Sequence, residues 1–65
     1  MSIKISIASA RVNAGLTQKE LAKACKVSES TIIKWEKGET CPHVKRLPLL
    51  EQAFGIPLDY VKIPY

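Results

Sequence analysis

The centre of the chain, residues 17–38, contains two short runs of apolar positions at helical spacing. Leu21 and Cys25 are four residues apart in the first run, and Ile32 and Trp35 are three apart in the second. Each pair therefore shares one face of an α-helix. About three residues separate the two runs, so the pattern predicts a helix-turn-helix whose apolar faces pack inward.

The ends of both helices carry recognisable capping residues. The sequence Thr-Gln-Lys-Glu at residues 17–20 is a capping box, in which the Thr17 hydroxyl accepts from the Glu20 amide and the Glu20 side chain reaches back to the Thr17 amide. Ser28 is the predicted N-cap of the second helix, and Gly38 is predicted to end it. The second helix, with its cap, is therefore expected at residues 28–37.

The turn between the two helices contains Lys26. A helix-turn-helix usually has glycine at this position, because the backbone there is left-handed. A lysine that keeps the left-handed conformation costs roughly 1 kcal/mol relative to glycine. The sequence thus predicts a helix-turn-helix with one strained turn residue.

A first helix is predicted before this unit, from its N-cap Ser6 to Ala14, with Gly15 after its end. A loop is expected over residues 39–46 because this segment has little periodicity. A later helix is expected to start near Pro48 and to end at Gly55. Its apolar stripe has four members: Leu47, Leu50, Ala53 and Phe54. Residues 57–61 predict one last helical turn.

Both ends of the chain are apolar. Ile3, Ile5 and Ile7 alternate with polar residues in a briefly strand-like pattern, although a helix from Ser6 is the favoured interpretation. The tail at residues 62–65 is too apolar for an ordinary frayed terminus. We expect it to pack back on the domain or to meet a partner.

Sixty-five residues make one small domain, expected over residues 1–65, which buries only about 60% of its unfolded surface. The net charge is +4, and its distribution is uneven. Seven basic residues lie between residues 17 and 46: Lys19, Lys23, Lys26, Lys34, Lys37, Lys45 and Arg46. This concentration suits a surface that binds a polyanion, although charge that simply keeps a small domain soluble explains the count equally well.

Other classes of protein find little support in the residues. No apolar run approaches the ~20 residues of a membrane span, and the N-terminus lacks the apolar core of a signal peptide. The two cysteines cannot form a disulfide framework and match no CxxC pattern, so reduced thiols and a cytoplasmic location are expected. The spacing of Cys25, Cys41 and His43 matches no zinc module. No nucleophile-base pair, glycine-rich phosphate loop or carboxylate pair indicates an enzyme, and neither a cofactor nor a small-molecule ligand is expected.

The ordered set of these motifs resembles the Cro/CI-type helix-turn-helix family, also called the XRE family, which includes small phage repressors. The matching residues are Arg11, Gly15, Leu16, Thr17, Gln18, Glu20, Leu21, Ala22, Val27, Ser28, Thr31, Ile32, Trp35, Glu36, Lys37, Gly38, Pro42, Phe54, Gly55, Ile56, Leu58 and Asp59. They span almost the whole chain. The resemblance implies an all-α fold, a compact bundle of about five short helices around the helix-turn-helix.

The resemblance also implies roles for individual residues. Arg11 and Glu36 match a partly buried ion pair between the first and third helices. Ser28, Glu29, Ser30 and Lys34 match positions that face base edges of DNA, and Gln18 matches a residue that holds a phosphate and often touches a base. Thr31 joins the base-contact candidates because its methyl group could meet thymine. The candidates for the DNA backbone are Thr17, Lys19, Lys37, Lys45 and Arg46.

The chemistry of two base-facing residues fits these roles. Lys34 can donate to O6 and N7 of guanine, and Glu29 can accept from the amino group of cytosine. An acid in the first turn of a helix also complements the helix dipole, so Glu29 has a purely structural alternative. Both interpretations require an acid at this position and stay open.

The sequence therefore predicts a transcriptional regulator that binds double-stranded operator DNA, most simply a phage or mobile-element repressor. A weak homodimer is expected, with an interface formed by the loop after Gly38 and by the end that carries Tyr60, Ile63 and Tyr65. The alternative is a protein-interaction module or antitoxin of the same fold, in which DNA contact is secondary. The basic bias of residues 17–46 favours the regulator.

Overall fold

The structure, a computed structural model, describes residues 4–63. Its helices are α1 (Ile7–Asn13), α2 (Gln18–Cys25), α3 (Glu29–Lys37) and α4 (Leu47–Phe54). Two short 3-10 turns flank α4 in the chain, at Val44–Arg46 and Leu58–Tyr60. The core contains Ile7, Ala10, Leu21, Ala22, Cys25, Ile32, Trp35, Leu50, Phe54 and Val61. All four helices therefore contribute apolar residues to one interior.

The all-α class is confirmed, but the expectation of about five helices is wrong by one α-helix. The predicted last helical turn at residues 57–61 is a 3-10 turn of three residues. Val61 then adopts an extended conformation, with φ −114° and ψ 129°. The segment after Gly55 is thus too short to complete an α-helix before the chain straightens.

The boundaries of the helix-turn-helix agree with the capping signals. The Thr17 hydroxyl accepts from the Glu20 amide at 3.0 Å, and a Glu20 carboxylate oxygen accepts from the Thr17 amide at 2.9 Å. The Ser28 hydroxyl accepts from the Thr31 amide at 3.3 Å. Gly38 ends α3 with φ 77°. Local hydrogen bonds therefore determine where both helices begin, and a left-handed glycine determines where α3 ends.

Lys26 ends α2 in the left-handed conformation, with φ 59° and ψ 41°. Within residues 4–63 it is the one residue other than glycine with a positive φ. Its backbone amide faces the carbonyl oxygens of Ala22 and Lys23. The turn thus keeps the geometry that usually requires glycine, and the backbone of Lys26 is strained because its Cβ is crowded in this conformation.

We expect Lys26→Gly to stabilise the domain by about 0.5–1 kcal/mol, because glycine adopts this φ without a Cβ clash. Thermal unfolding followed by circular dichroism measures the change, which corresponds to a rise of a few degrees in Tm. Lys23→Gly is the matched control, since it removes the same charge inside α2 and should destabilise by about 1 kcal/mol. A lower Tm for Lys26→Gly would contradict the assignment of strain.

Two short parallel strands join the ends of the described chain. β1 (Ile5–Ser6) pairs with β2 (Val61–Lys62), with Ile5 opposite Val61 and Ser6 opposite Lys62. Of the alternating isoleucines, Ile5 therefore lies in a strand, Ile7 begins α1, and Ile3 lies outside the described residues. The start of the apolar tail packs back on the domain. Tyr65, predicted at a dimer interface, lies outside the described residues.

None of the helices within residues 4–63 has the length and apolar character that crossing a membrane requires.

Candidate nucleic-acid interface

The outer face of α3 is polar and exposed. Ile32 and Trp35 point into the core, and the opposite side of the helix carries Glu29, Ser30, Lys34 and Lys37, all of them exposed. Trp35 is 4% exposed, so its ring packs in the core and is not available to stack on a base. This face of α3 carries most of the residues that the sequence assigned to base contacts.

Three hydroxyl groups cluster at the N-terminus of α3. The Ser28 hydroxyl lies 2.8 Å from the Thr31 hydroxyl and 3.1 Å from the Ser30 hydroxyl, besides capping the Thr31 amide. Thr31 is half-buried beneath this group. The structure thus brings together three of the predicted base contacts. It also shows that the Ser28 hydroxyl has a structural function as the N-cap.

Glu29 and Lys34 lie on the same outer face without such neighbours. Across residues 4–63, neither side chain takes part in a hydrogen bond or an ion pair. They are five residues apart, which is outside the i,i+4 spacing of a helical ion pair. Both charged groups are therefore available to a partner outside the chain.

The N-terminus of α2 adds a second polar element. Gln18 is the first residue of this helix and is half-buried, whereas Thr17 and Lys19 on either side of it are exposed. The amides of the first turn point out of the helix, and a helix N-terminus attracts a phosphate oxygen. The Thr17 hydroxyl caps only the amide of Glu20. The other amides of this first turn are therefore available to a phosphate of the DNA backbone.

A hydrogen-bonded network joins α1, α2 and α3 behind these residues. Arg11 Nε donates to Glu36 Oε2 at 2.6 Å, and Arg11 Nη1 donates to the Leu16 carbonyl oxygen at 2.8 Å. The side chains of Arg11 and Glu36 are 17% and 10% exposed. Gln18 Nε2 donates to the second carboxylate oxygen of Glu36 at 3.0 Å. The carboxylate of Glu36 therefore holds one residue from each of the other two helices.

The basic residues of the loop after α3 differ in their surroundings. Lys45 is exposed, and its backbone amide donates to Nδ1 of His43 at 3.1 Å, so the histidine caps the first 3-10 turn. Arg46 is half-buried. Its charge lies near the Cys25 thiol and lowers the pKa of that thiol, against a larger rise caused by burial. Lys45 is thus more available to a phosphate than Arg46.

The cysteines occupy unlike environments. Cys25 is buried in the core and Cys41 is exposed. Burial raises the pKa of the Cys25 thiol, which keeps it protonated and unreactive at neutral pH. In the part of the chain that the structure describes, no three His, Cys, Asp or Glu side chains come together as a metal site would require.

The contact that sequence reasoning missed is the hydrogen bond from Gln18 to Glu36. The two residues belong to different helices, and no local pattern connects them. Two smaller contacts were also missed: the cap that His43 provides to the Lys45 amide, two residues further on, and the acceptance of the Leu58 amide by Glu51 Oε2 at 3.0 Å. A glutamate three residues before the end of a helix gives no signal that it accepts a hydrogen bond from the next segment.

A family model described as helix-turn-helix matches residues 7–61. The chain belongs to the XRE-type helix-turn-helix family. It is similar to the HTH-type transcriptional activator BcrR of Enterococcus faecalis, with 35% identity over 49 residues. That match covers 75% of this chain and 24% of the relative. No solved structure matches the chain.

Proposed function

We propose that this chain is a sequence-specific DNA-binding module of a transcriptional regulator, with α3 lying in the major groove. The observation that carries the proposal is the outer face of α3, where Glu29 and Lys34 are exposed and have no partner among residues 4–63. Lysine and glutamate complement the edges of a G·C pair. Membership of the helix-turn-helix family and the similarity to a transcriptional activator support the same function.

The contacts to bases and to the backbone come from different elements. Base edges are contacted by Gln18, Ser28, Glu29, Ser30, Thr31 and Lys34. Phosphates are contacted by Thr17, Lys19, Lys37, Lys45 and Arg46. Of these, Ser28 and Thr31 act mainly through the hydroxyl cluster at the start of α3, and Arg46 must leave the neighbourhood of Cys25 to reach a phosphate.

The regulatory outcome that we propose is repression, in a phage or mobile element. A small domain that occupies an operator blocks other proteins from the same DNA without needing any further contact. The similarity to an activator makes recruitment of transcription the competing outcome. A reporter gene with the selected site placed over or upstream of a promoter separates the two.

DNA binding should depend steeply on salt concentration. If the four cationic backbone candidates each neutralise one phosphate, the slope of log K against log salt is about −3 to −4 for each chain. Fluorescence anisotropy on a duplex selected from a random pool measures this slope. Lys37→Gln should make it shallower by about 0.9, whereas the control Lys23→Gln on α2 should leave it unchanged. A flat dependence for the unaltered chain would exclude the proposed function and favour a protein-interaction module.

We further propose a weak homodimer on DNA. Val44 and Tyr60 are 68% and 53% exposed, and they belong to the two 3-10 turns, each of which packs against α4. Large exposed apolar side chains in the segments next to α4 suit a contact with a second copy. Two α3 helices would then enter successive major grooves about 34 Å apart.

The dimer is tested by comparing duplexes that carry one and two half-sites. Tyr60→Ser should abolish cooperative binding to two half-sites and leave binding to a single half-site unchanged. Val12→Ser is the matched control, because Val12 is also a large exposed apolar residue, at 65%, but lies on α1. Non-cooperative binding by the unaltered chain would overturn the dimer and leave the DNA-binding proposal standing.

A further inference from the structure

We infer that Glu36 is a positioning residue for DNA binding, because it orients the side chain of Gln18 before DNA arrives. The inference rests on the proposed function and goes beyond it. Glu36 itself is on the inner side of α3 and is half-buried, so it makes no contact with DNA. Its effect is exerted through the N-terminus of α2.

The two carboxylate oxygens of Glu36 have different partners. Oε2 accepts from Arg11 at 2.6 Å, and Oε1 accepts from Gln18 Nε2 at 3.0 Å. An ion pair with Arg11 alone requires only the first of these contacts. The second contact joins the ion pair to the first residue of α2, at the edge of the surface proposed to meet DNA.

The chemistry of the carboxylate determines which way the amide of Gln18 faces. An ionised carboxylate only accepts hydrogen bonds, whereas a glutamine amide has a donating nitrogen and an accepting oxygen. The nitrogen of Gln18 must therefore face Glu36. The oxygen and the second N–H remain for a partner on the outer side.

Holding the amide in this way reduces the cost of binding. An unrestrained glutamine loses about 1.5–2 kcal/mol of rotamer freedom when it is ordered. Gln18 has already lost part of that freedom in the folded chain, because its contact with Glu36 is charge-assisted and half-buried. A contact between DNA and Gln18 then forms from an ordered side chain.

A double-mutant cycle measures the positioning effect directly. The variants are Gln18→Met, Glu36→Gln and the combination, and the readout is affinity for the duplex selected by the unaltered chain. We expect each single change to weaken binding about tenfold. If the two residues act through one contact, the double variant should also lose only about tenfold, whereas independent effects would multiply to about a hundredfold. Gln52→Met is the control, since it removes an exposed amide from α4 and should not change affinity.

Gln18→Asn provides a second variant that keeps both charges of the ion pair in place. It keeps the amide but shortens the side chain, so it cannot reach Glu36 and the outer surface together. Weakening similar to that of Gln18→Met supports positioning, whereas affinity close to that of the unaltered chain overturns it.

Glu36→Gln could fail to fold, because it leaves Arg11 without its charge partner. In that case the side-chain amide resonances of Gln18 in the unaltered chain provide the test. Slowed solvent exchange of that amide, in the absence of DNA, supports the contact with Glu36, and exchange as fast as that of Gln52 overturns it.

Failure of the inference differs from failure of the proposed function. Additive effects in the cycle, with tight binding by the unaltered chain, would reject only the role of Glu36. Absence of specific binding by the unaltered chain would reject the proposed function, and the inference with it.

Discussion

We expect Arg11→Met to lower the free energy of unfolding by about 3 kcal/mol, because it leaves the half-buried carboxylate of Glu36 without a cation. The methionine keeps most of the apolar stem, so the loss reports the guanidinium group. It also removes the bond to the Leu16 carbonyl, which ties the α1–α2 loop. A loss of this size is a large fraction of the stability of a small domain.

Urea denaturation followed by circular dichroism measures this change. Lys23→Met is the matched control, because Lys23 is an exposed cation on α2 and should change stability by no more than about 0.5 kcal/mol. A change below 1 kcal/mol for Arg11→Met would show that the ion pair contributes little beyond a surface pair.

The second large effect is expected from Lys34→Ala. If Lys34 donates to a guanine, its loss costs about 1–3 kcal/mol on the preferred duplex and relaxes the preference at one base pair. Selection from random duplexes, repeated with the variant, measures the preference at each position. Lys37→Ala is the matched control, since it lies one turn further on the same face and should weaken all duplexes alike.

Glu29→Gln distinguishes the two interpretations of Glu29 in the same assay. A contact with cytosine predicts a changed preference at one position. An acid that only complements the helix dipole predicts unchanged preferences and a stability loss of about 0.3–1 kcal/mol. An unchanged base profile for both Lys34→Ala and Glu29→Gln would contradict direct recognition of bases by the outer face of α3.

The parts of the fold that the sequence predicted well are those with local causes. The capping box of Thr17 and Glu20 and the cap at Ser28 depend on residues three apart, and a left-handed Gly38 needs only its own backbone. Such interactions involve residues that are close together in the sequence, so short sequence patterns predict them. The helix boundaries around the candidate site followed from them.

The larger features that were missed depend on residues distant in the sequence. The alternation around Ile5 was briefly strand-like, but no pattern in the sequence indicated that Ile5 pairs with Val61. The contact from Gln18 to Glu36 joins two helices and becomes visible only when α2 and α3 are packed. The ion pair of Arg11 with Glu36 was expected from a family resemblance, and spacing alone would not have given it.

The pairing of β1 with β2 has a consequence for how the domain folds. It joins segments from opposite ends of the chain, so it closes the largest loop in the domain at a high entropic cost. The helix-turn-helix depends on near neighbours and should form earlier. We expect the strand pair to be a late event that opens first, so in native-state hydrogen exchange its amides should lose protection before those of α2 and α3.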